Sequence, residues 1–247
     1  MEVHHHSHHP KKWKEYITEF LMLFLAVSLG FMAENIREHQ IEKQRETQYM
    51  ESFVADLESD ILNIMEGLPR KDARIKAIDT LFQYFNQHPD VTVVPAIIVK
   101  KMKRAAYDRT YVRNTTTINQ LKNSGNLRLI RNKKVADSIA AYDWRWSRAE
   151  YYRETYIANQ KDIYHFEEEI LEAKDLIGFY IHNDSLSNEN SSPKTGFVRI
   201  RRSPLNAYLN LLSRQLIVTK VDRENYRKIA LMTRELINII KKEYQIK

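Results

Sequence analysis

The sequence has no cysteine and few residues that break helices, with 5 Gly and 6 Pro among its 247 residues. Without cysteine there is no disulfide, no thiolate metal site and no cysteine nucleophile. Sheet proteins need many turns, so the scarcity of Gly and Pro favours long helices. The sequence also has no Gly-rich phosphate loop, HExxH, GxSxG or kinase motif. We therefore expect a protein that is not an enzyme and that needs no cofactor.

Acidic residues are scarce in one part of the chain. Residues 100–153 hold 14 Lys/Arg and only 4 Asp/Glu, a net charge of +10, whereas residues 162–189 hold 8 acids and one Lys. Such neighbouring segments of opposite sign can pair within the fold. A basic segment can also bind an anionic partner such as a lipid, a polyanion or nucleic acid.

An uncharged apolar run, Phe20–Ala33, lies near the N-terminus. A spanning helix needs about 20 residues, and the run reaches a usable length only if Tyr16 and Ile17 belong to it, with Glu19 near the entry. Trp13 and Tyr16 are typical of aromatic anchors at a membrane interface. A cleaved signal peptide and a buried soluble helix are the alternatives. We predict a single membrane span.

The orientation of this span is less well determined by charge, because both flanks carry the same number of basic residues. They are Lys11, Lys12 and Lys14 on one side, and Arg37, Lys43 and Arg45 on the other. The short N-terminal tail is the easier side to leave in the cytoplasm beside its lysines. We expect an inner-membrane protein with a cytoplasmic N-terminus and a periplasmic C-terminal domain.

The predicted fold class is all-α: a transmembrane helix that continues into a stalk and an antiparallel helical bundle. The predicted parts are a His-rich basic tail (1–15), the span (16–33), a polar helical stalk (34–48) and the bundle (49–247). An Asn- and Ser-rich stretch, 183–195, is expected to be a mobile loop in the bundle.

Periodicity and capping residues divide the bundle into helices. A helix from Met50 is expected to stop at Gly67 and Pro69, and a second one covers 71–85. Residues 91–95 are β-branched but lack an evident partner strand, so they are interpreted as an extended link into a helix over 96–106.

Further capping signals mark the later helices. Thr116 is expected to cap a short helix that Gly125 closes, and Asn132 to cap a long helix reaching about Ile181. Ser203 and Pro204 then open a helix. Asp222 is expected to cap the last one.

The histidine cluster of the tail is a candidate metal site. Imidazoles at such close spacing can bind Zn, Cu or Ni. Nothing fixes their geometry, however, and an expression tag or a pH-sensitive cationic tail are alternatives. The candidate ligands are His4, His5, His6, His8 and His9.

Residues 114–130 are a candidate site for a small polar or anionic ligand, because hydroxyls, amides and basic side chains surround a helix start there. Capping and turn chemistry is the simpler interpretation of the same residues. Asp56 and Asp60, at helical spacing without paired histidines, are interpreted as surface charge rather than a di-iron site. The candidate ligand or partner residues are Arg113, Thr116, Lys122 and Arg128.

Aromatic and basic residues alternate between positions 142 and 156, as they do on surfaces that stack nucleic-acid bases. The aromatics lie on both sides of one helix, so a bundle core with cation–π cover is the favoured interpretation, and nucleic acid is not an expected partner. The aromatic residues are Tyr142, Trp144, Trp146, Tyr151, Tyr152 and Tyr156.

Two blocks carry a family resemblance. The stretch from His4 to His39, which includes His-His-His-Ser-His-His-Pro-Lys-Lys-Trp and the apolar run, resembles a Bacteroidota family of single-span membrane proteins. That family has a His-rich N-terminus and a domain of unknown function. Residues 115–142, with Thr117-Ile-Asn-Gln-Leu-Lys-Asn-Ser-Gly-Asn, are similar to its middle portion. The resemblance implies a native His-rich tail and a membrane location, and it implies no catalytic residue.

Three functions remain open on these grounds. The first is a membrane-anchored helical module, a scaffold or sensor, that binds a ligand, a protein partner or a second copy of itself. The second is an anionic lipid or polyanion binder that uses residues 100–153. The third is metal handling by the His-rich tail.

Overall fold

Helices form nearly all of the regular structure in the computed structural model, which describes residues 12–107, 111–175 and 197–246. The all-α prediction is therefore confirmed. The elements are α1 (Trp13–Gln87), β1 (Val93–Pro95), α2 (Ala96–Ala106), α3 (Thr116–Asn123), a 3-10 turn (Asn126–Leu129), α4 (Lys133–Ile170), β2 (Phe197–Arg199) and α5 (Leu205–Tyr244). The loop predicted at 183–195 lies outside the described residues.

The chain divides into two units, Met1–Met50 and Glu51–Lys247. The described part of the first unit is almost entirely helix, including the stretch 34–48 that was predicted to be helical. The apolar run Phe20–Ala33 of this unit is exposed: Phe20 is 65% exposed and Phe31 74%. The N-terminal apolar part of α1 is long and apolar enough to cross a membrane, with a mean hydropathy of 1.8 over 18 residues.

Within the second unit, α1 passes through Gly67 and Pro69 without ending, so the predicted stop there is wrong. A proline inside a helix removes one backbone hydrogen bond and costs about 3 kcal/mol. Packing on both sides of the proline offsets this cost, because Ile64 and Ile78 are fully or almost fully buried. Local helix-breaking chemistry is therefore overridden by the tertiary fold.

The long helices of this unit are only partly antiparallel, which corrects the predicted arrangement. α1 and α4 run in the same direction, and α5 runs against both. The chain returns through α2 and α3 between α1 and α4, so α4 can begin near the same end as the bundle part of α1. α1 and α4 are parallel because Asp60 contacts Tyr142 and Arg74 contacts Tyr156. α1 and α5 are antiparallel because Glu58 contacts Lys241 and Asp72 contacts Arg223. α4 and α5 are antiparallel because Arg145 contacts Asn225 and Asn159 contacts Gln215.

A two-stranded antiparallel sheet joins the segments after α1 and before α5. Val94 of β1 pairs with Val198 of β2, so the β-branched stretch does have a partner strand, contrary to the prediction. The partner was missed because it lies about a hundred residues further along the chain. Leu171 bridges Ile200, and its extended backbone ends α4 at Ile170 rather than near 181.

The last helix also differs from prediction. α5 begins directly after the expected Ser203–Pro204 start but continues to Tyr244, so Asp222 lies inside it and caps nothing. The Asn132 cap is confirmed: its side chain accepts a 3.2 Å hydrogen bond from the Val135 N–H. Gly125 adopts the left-handed conformation, φ 67°, after α3, as its predicted role in closing that helix requires.

The hydrophobic core around the sheet includes residues of α1, α2, α4 and α5. Their burial positions α2 against α4 and α5. Members that are at most 4% exposed are Ile78, Leu81, Phe85, Val94, Ile98, Val99, Met102, Ala105, Ala106, Ile163, Ile170, Leu171, Val198, Tyr208 and Leu212.

Candidate functional site

Two aspartates of α1 hold the irregular segment that precedes α3. Asp60 is 1% exposed, and its Oδ1 accepts hydrogen bonds from the Tyr111 hydroxyl and, at 2.9 Å, from the Asn114 N–H. Its Oδ2 accepts from the Tyr142 hydroxyl of α4 at 2.8 Å. Burial raises the pKa of the Asp60 carboxyl, and these hydrogen bonds oppose the rise. Asp60 therefore links α1, the segment and α4 through one buried carboxyl group.

Asp56, one turn earlier on the same face of α1, caps α3. Its Oδ2 accepts a 2.9 Å hydrogen bond from the Thr117 N–H, and its Oδ1 accepts from Asn114 Nδ2 at 2.7 Å. The Asn114 side chain accepts from the Thr116 N–H at 3.1 Å. The predicted cap by Thr116 is therefore wrong, since the helix begins at that residue and a neighbouring helix supplies the acceptor. The interpretation of Asp56 and Asp60 as surface charge is also wrong.

Arg113 lies buried between this segment and α4. Its Nη1 donates to Asp143 Oδ1 at 2.8 Å, and Lys122 Nζ donates to Asp143 Oδ2 at 2.9 Å. Burial opposes ionisation of Asp143, but the hydrogen bonds from Lys122 and Arg113 keep its pKa below the ordinary value. The guanidinium carbon lies 4.6 Å from the centre of the Tyr142 ring and 5.8 Å from that of Trp146.

Some polar groups around Arg113 lack a hydrogen-bond partner within the described part of the chain. They are the Arg113 Nε and Nη2 groups and the Trp146 Nε1 group, all of them donors. Tyr111 and Tyr226 surround Trp146 at ring-centre distances of 5.5 and 5.9 Å. Among the described residues, the site thus combines the Asp60 carboxylate, which accepts three hydrogen bonds, with buried donors around Arg113 that lack an acceptor.

The structure brings together some of the residues predicted from sequence. Arg113 and Lys122 meet on Asp143, whereas Thr116 is exposed at the start of α3 and Arg128 is exposed on the 3-10 turn. The sequence reasoning missed Asp143, Tyr111 and the roles of the two α1 aspartates. The spacing of four between Asp56 and Asp60 indicates that both lie on one face of the helix, but it does not show that Asp60 is buried.

The histidines predicted to bind metal, His4 to His9, lie outside the described residues. Among residues 12–107, 111–175 and 197–246, no three His, Cys, Asp or Glu side chains form a group that could hold a metal ion.

The aromatic residues of α4 divide between core and surface. Tyr142, Trp146 and Tyr156 are at most 2% exposed, whereas Trp144 is 59% and Tyr151 74% exposed. The buried members carry the cation–π contacts with Arg113 and Arg74. A continuous base-stacking surface is therefore not formed by these side chains.

A second polar group lies where α2, α4 and α5 meet. Glu167 is 1% exposed, and burial raises the pKa of its carboxyl to about 7, although Lys103 lies 3.4 Å away. The Tyr208 hydroxyl is buried in the same region and also has a raised pKa because of burial and the nearby Glu167 charge. The Glu167 carboxyl is therefore sensitive to pH near neutrality.

Arg74 lies between the Asp60 site and the Glu167 group, and it stabilises the end of α2. Its Nε donates at 2.8 Å to the Ala105 carbonyl oxygen, and the guanidinium also bonds the Tyr156 hydroxyl. A cation beside the last carbonyls of a helix interacts favourably with the helix dipole. Arg74 thereby fixes the point from which the chain continues towards the Asp60 segment.

No protein-family model, curated protein or solved structure matches this chain. The fold and the site together define an all-α protein whose described residues include one candidate membrane-spanning helix and a buried polar site in the helical unit.

Proposed function

We propose that the protein is a membrane-anchored, non-enzymatic helical module whose second unit binds a ligand or a protein partner, as a scaffold or sensor. The observation that carries this proposal is the exposed apolar stretch of the first unit. Leu23 is 68% exposed, Leu29 63% and Phe31 74%. Soluble proteins rarely expose so large a continuous apolar patch, and lipid is the medium that would cover it.

The ends of this stretch support a membrane span. Residues 16–33 form about 27 Å of helix at ~1.5 Å per residue, close to the thickness of the hydrocarbon layer. Trp13 is 80% exposed and Tyr16 56%, which suits aromatic anchors at the interface. The proposal places the span in the inner membrane, with Lys12 and Lys14 on the cytoplasmic side and the second unit in the periplasm.

The experiment compares two substitutions of the same kind in the same helix. Leu25→Lys places a charge inside the apolar run, whereas Leu62→Lys changes a 72% exposed residue of the second unit. A lysine near the bilayer centre costs about 2.5–3.5 kcal/mol on insertion scales. We expect Leu25→Lys to lose carbonate-resistant membrane association and Leu62→Lys to keep it. Equal extraction of the two variants would contradict the anchor.

The orientation needs its own measurement. A reporter that is active only after export, fused after Lys247, is expected to be active. Activity of a cytoplasmic reporter at the same position would reverse the proposed topology without affecting the anchor.

A ligand-binding role is supported by the donors around Arg113, because a purely structural network would leave few buried donors without acceptors. Such a role requires no catalytic group.

A second candidate function is binding of anionic lipid or another polyanion by the basic region 100–153. Part of that region is paired internally, since Arg113 and Lys122 bond Asp143 and Lys103 lies beside Glu167. The stretch 128–134, however, holds four exposed basic residues and no acid. We expect this function to show steep salt dependence of binding to anionic vesicles and loss of binding in Arg128→Gln/Lys133→Gln/Lys134→Gln.

A further inference from the structure

The free edge of the Arg113 guanidinium has the geometry that recognises an oxyanion. Within the described residues, Nη1 is bonded to Asp143, whereas Nε and Nη2 have no acceptor. These two groups form the side-on fork of arginine, whose parallel N–H bonds match the two oxygens of a carboxylate or phosphate. The Arg113 side chain is only 5% exposed, so water does not freely solvate this fork.

A third donor lies beside the fork. Trp146 is 2% exposed, and its ring centre is 5.8 Å from the guanidinium carbon. Its indole Nε1 makes no hydrogen bond of normal geometry among the described residues, although the Tyr142 hydroxyl lies near it. An indole N–H can only donate. A buried donor left without an acceptor is unfavourable, so these donors together indicate an acceptor group that the described residues do not supply.

The neighbouring carboxylates are committed to other donors. Asp60 accepts from Tyr111, Asn114 and Tyr142, and Asp143 divides its two oxygens between Arg113 and Lys122. Two cations therefore share the single carboxylate of Asp143. Lys122 is 48% exposed, so this pair connects the buried fork with the surface.

We propose that the Arg113 fork and the Trp146 indole bind a carboxylate, either a small free carboxylate or the carboxylate of a larger ligand. A singly charged, planar group fits this site better than a phosphate, because Asp60 and Asp143 already place negative charge nearby and the aromatic rings of Tyr142 and Trp146 flank the guanidinium. This inference rests on the proposed ligand-binding function and names its ligand class.

The test uses the full chain in detergent or nanodiscs, with sodium acetate as the probe at constant ionic strength. Trp146 fluorescence is followed in a Trp13→Phe/Trp144→Phe background, and the unfolding temperature is measured in parallel. We expect a saturable change in both. Inorganic phosphate is the second probe, and tighter binding of phosphate than of acetate would overturn the assignment to a carboxylate.

Four variants separate the fork from its surroundings. Arg113→Gln and Arg113→Lys are both expected to lose the response, since lysine keeps the charge but lacks the fork. Trp146→Phe keeps the ring and loses one hydrogen bond, so we expect a Kd about three- to tenfold higher, read from the unfolding temperature. Lys242→Gln, which changes an exposed basic residue near the end of α5, is expected to bind like the wild type.

Three results would overturn the site: no saturable response of the wild type, unchanged binding in Arg113→Gln, or an equal loss in Lys242→Gln. If circular dichroism shows that Arg113→Gln is unfolded, Trp146→Phe becomes the deciding variant. An unchanged Kd for acetate in Trp146→Phe then rejects the site. Protein that remains membrane-bound but does not respond to acetate would reject the carboxylate site while leaving the anchor standing.

Discussion

Lys71 of α1 and Asp222 of α5 form an ion pair inside the helical unit, with Nζ 2.5 Å from Oδ2. The two side chains are only 6% and 13% exposed. The ammonium group also lies 5.0 Å from the centre of the Tyr156 ring and 5.1 Å from that of Tyr226. The pair therefore joins the antiparallel helices α1 and α5, with aromatic rings from α4 and α5 shielding it from water.

Replacing one partner should leave the other charge buried without its ion-pair partner. We expect Lys71→Met to lower the free energy of unfolding by about 3–5 kcal/mol, measured by denaturant titration of the full chain. The control is Lys228→Met, whose exposed pair with Glu224 at 3.8 Å should change stability by less than ~1 kcal/mol. Equal effects of the two substitutions would show that the Lys71 pair is solvated.

The cap that Asp56 supplies to α3 predicts a local effect. Asp56→Ala removes the acceptor for the Thr117 N–H and for Asn114 Nδ2, and loss of a helix cap costs about 0.5–2 kcal/mol. We expect hydrogen exchange at the Thr117 amide to accelerate while α5 keeps its protection.

The matched control for this prediction is Glu58→Ala, because Glu58 lies close to Asp56 on α1 but forms an exposed pair with Lys241. Its substitution should leave α3 protection unchanged. If both variants or neither accelerate exchange at Thr117, Asp56 is not the cap.

Sequence periodicity predicted helix content well, because the spacing of buried residues is local information. Helix α2 has the predicted bounds, and the Asn132 cap is made by residues three apart. The errors at Pro69 and Asp222 have one cause: each residue favours a helix boundary locally, whereas contacts from distant helices stabilise the continuous helix. Asp222, for example, pairs with a lysine 151 residues earlier in the sequence.

The candidate site was less predictable than the fold. Arg113 and Lys122 were identified by their polar surroundings, but the carboxylate that joins them, Asp143, lies 30 and 21 residues further along the chain. Asp60 could not be recognised as buried, since its donors come from Tyr111 and Tyr142 on separate segments. Such long-range pairing requires the tertiary arrangement.

The raised pKa of Glu167 predicts how stability depends on pH. An acid with a pKa of about 7 in the folded protein and an ordinary value of 4.5 ionises first in the unfolded chain. Its contribution is therefore fully retained below pH ~4.5 and is lost as pH rises towards ~7. We expect Glu167→Gln to stabilise the protein at pH 8, by up to about 3 kcal/mol, and to change little at pH 4.5.

The measurement is a series of denaturant titrations between pH 4.5 and 8 on both proteins. The control is Glu154→Gln, an exposed acid on α4 that is not among the charges acting on Glu167, and this variant should leave the slope of stability against pH unchanged. If the slope of stability against pH is the same for the wild type and Glu167→Gln between pH 4.5 and 7, Glu167 ionises normally.

Two glycines of the helical unit, Gly67 and Gly125, should respond oppositely to the same substitution. Gly67 lies inside the continuous helix α1, and a Cβ added there meets no atom within 4 Å. Alanine in a helix interior is more stable than glycine by about 0.5–1 kcal/mol, so Gly67→Ala should stabilise the protein by that amount. Gly125 has φ 67°, a conformation that strains alanine, so Gly125→Ala should destabilise it by about 1 kcal/mol or more. Both values follow from denaturant titration, and destabilisation by Gly67→Ala would mean that α1 is interrupted before Pro69 after all.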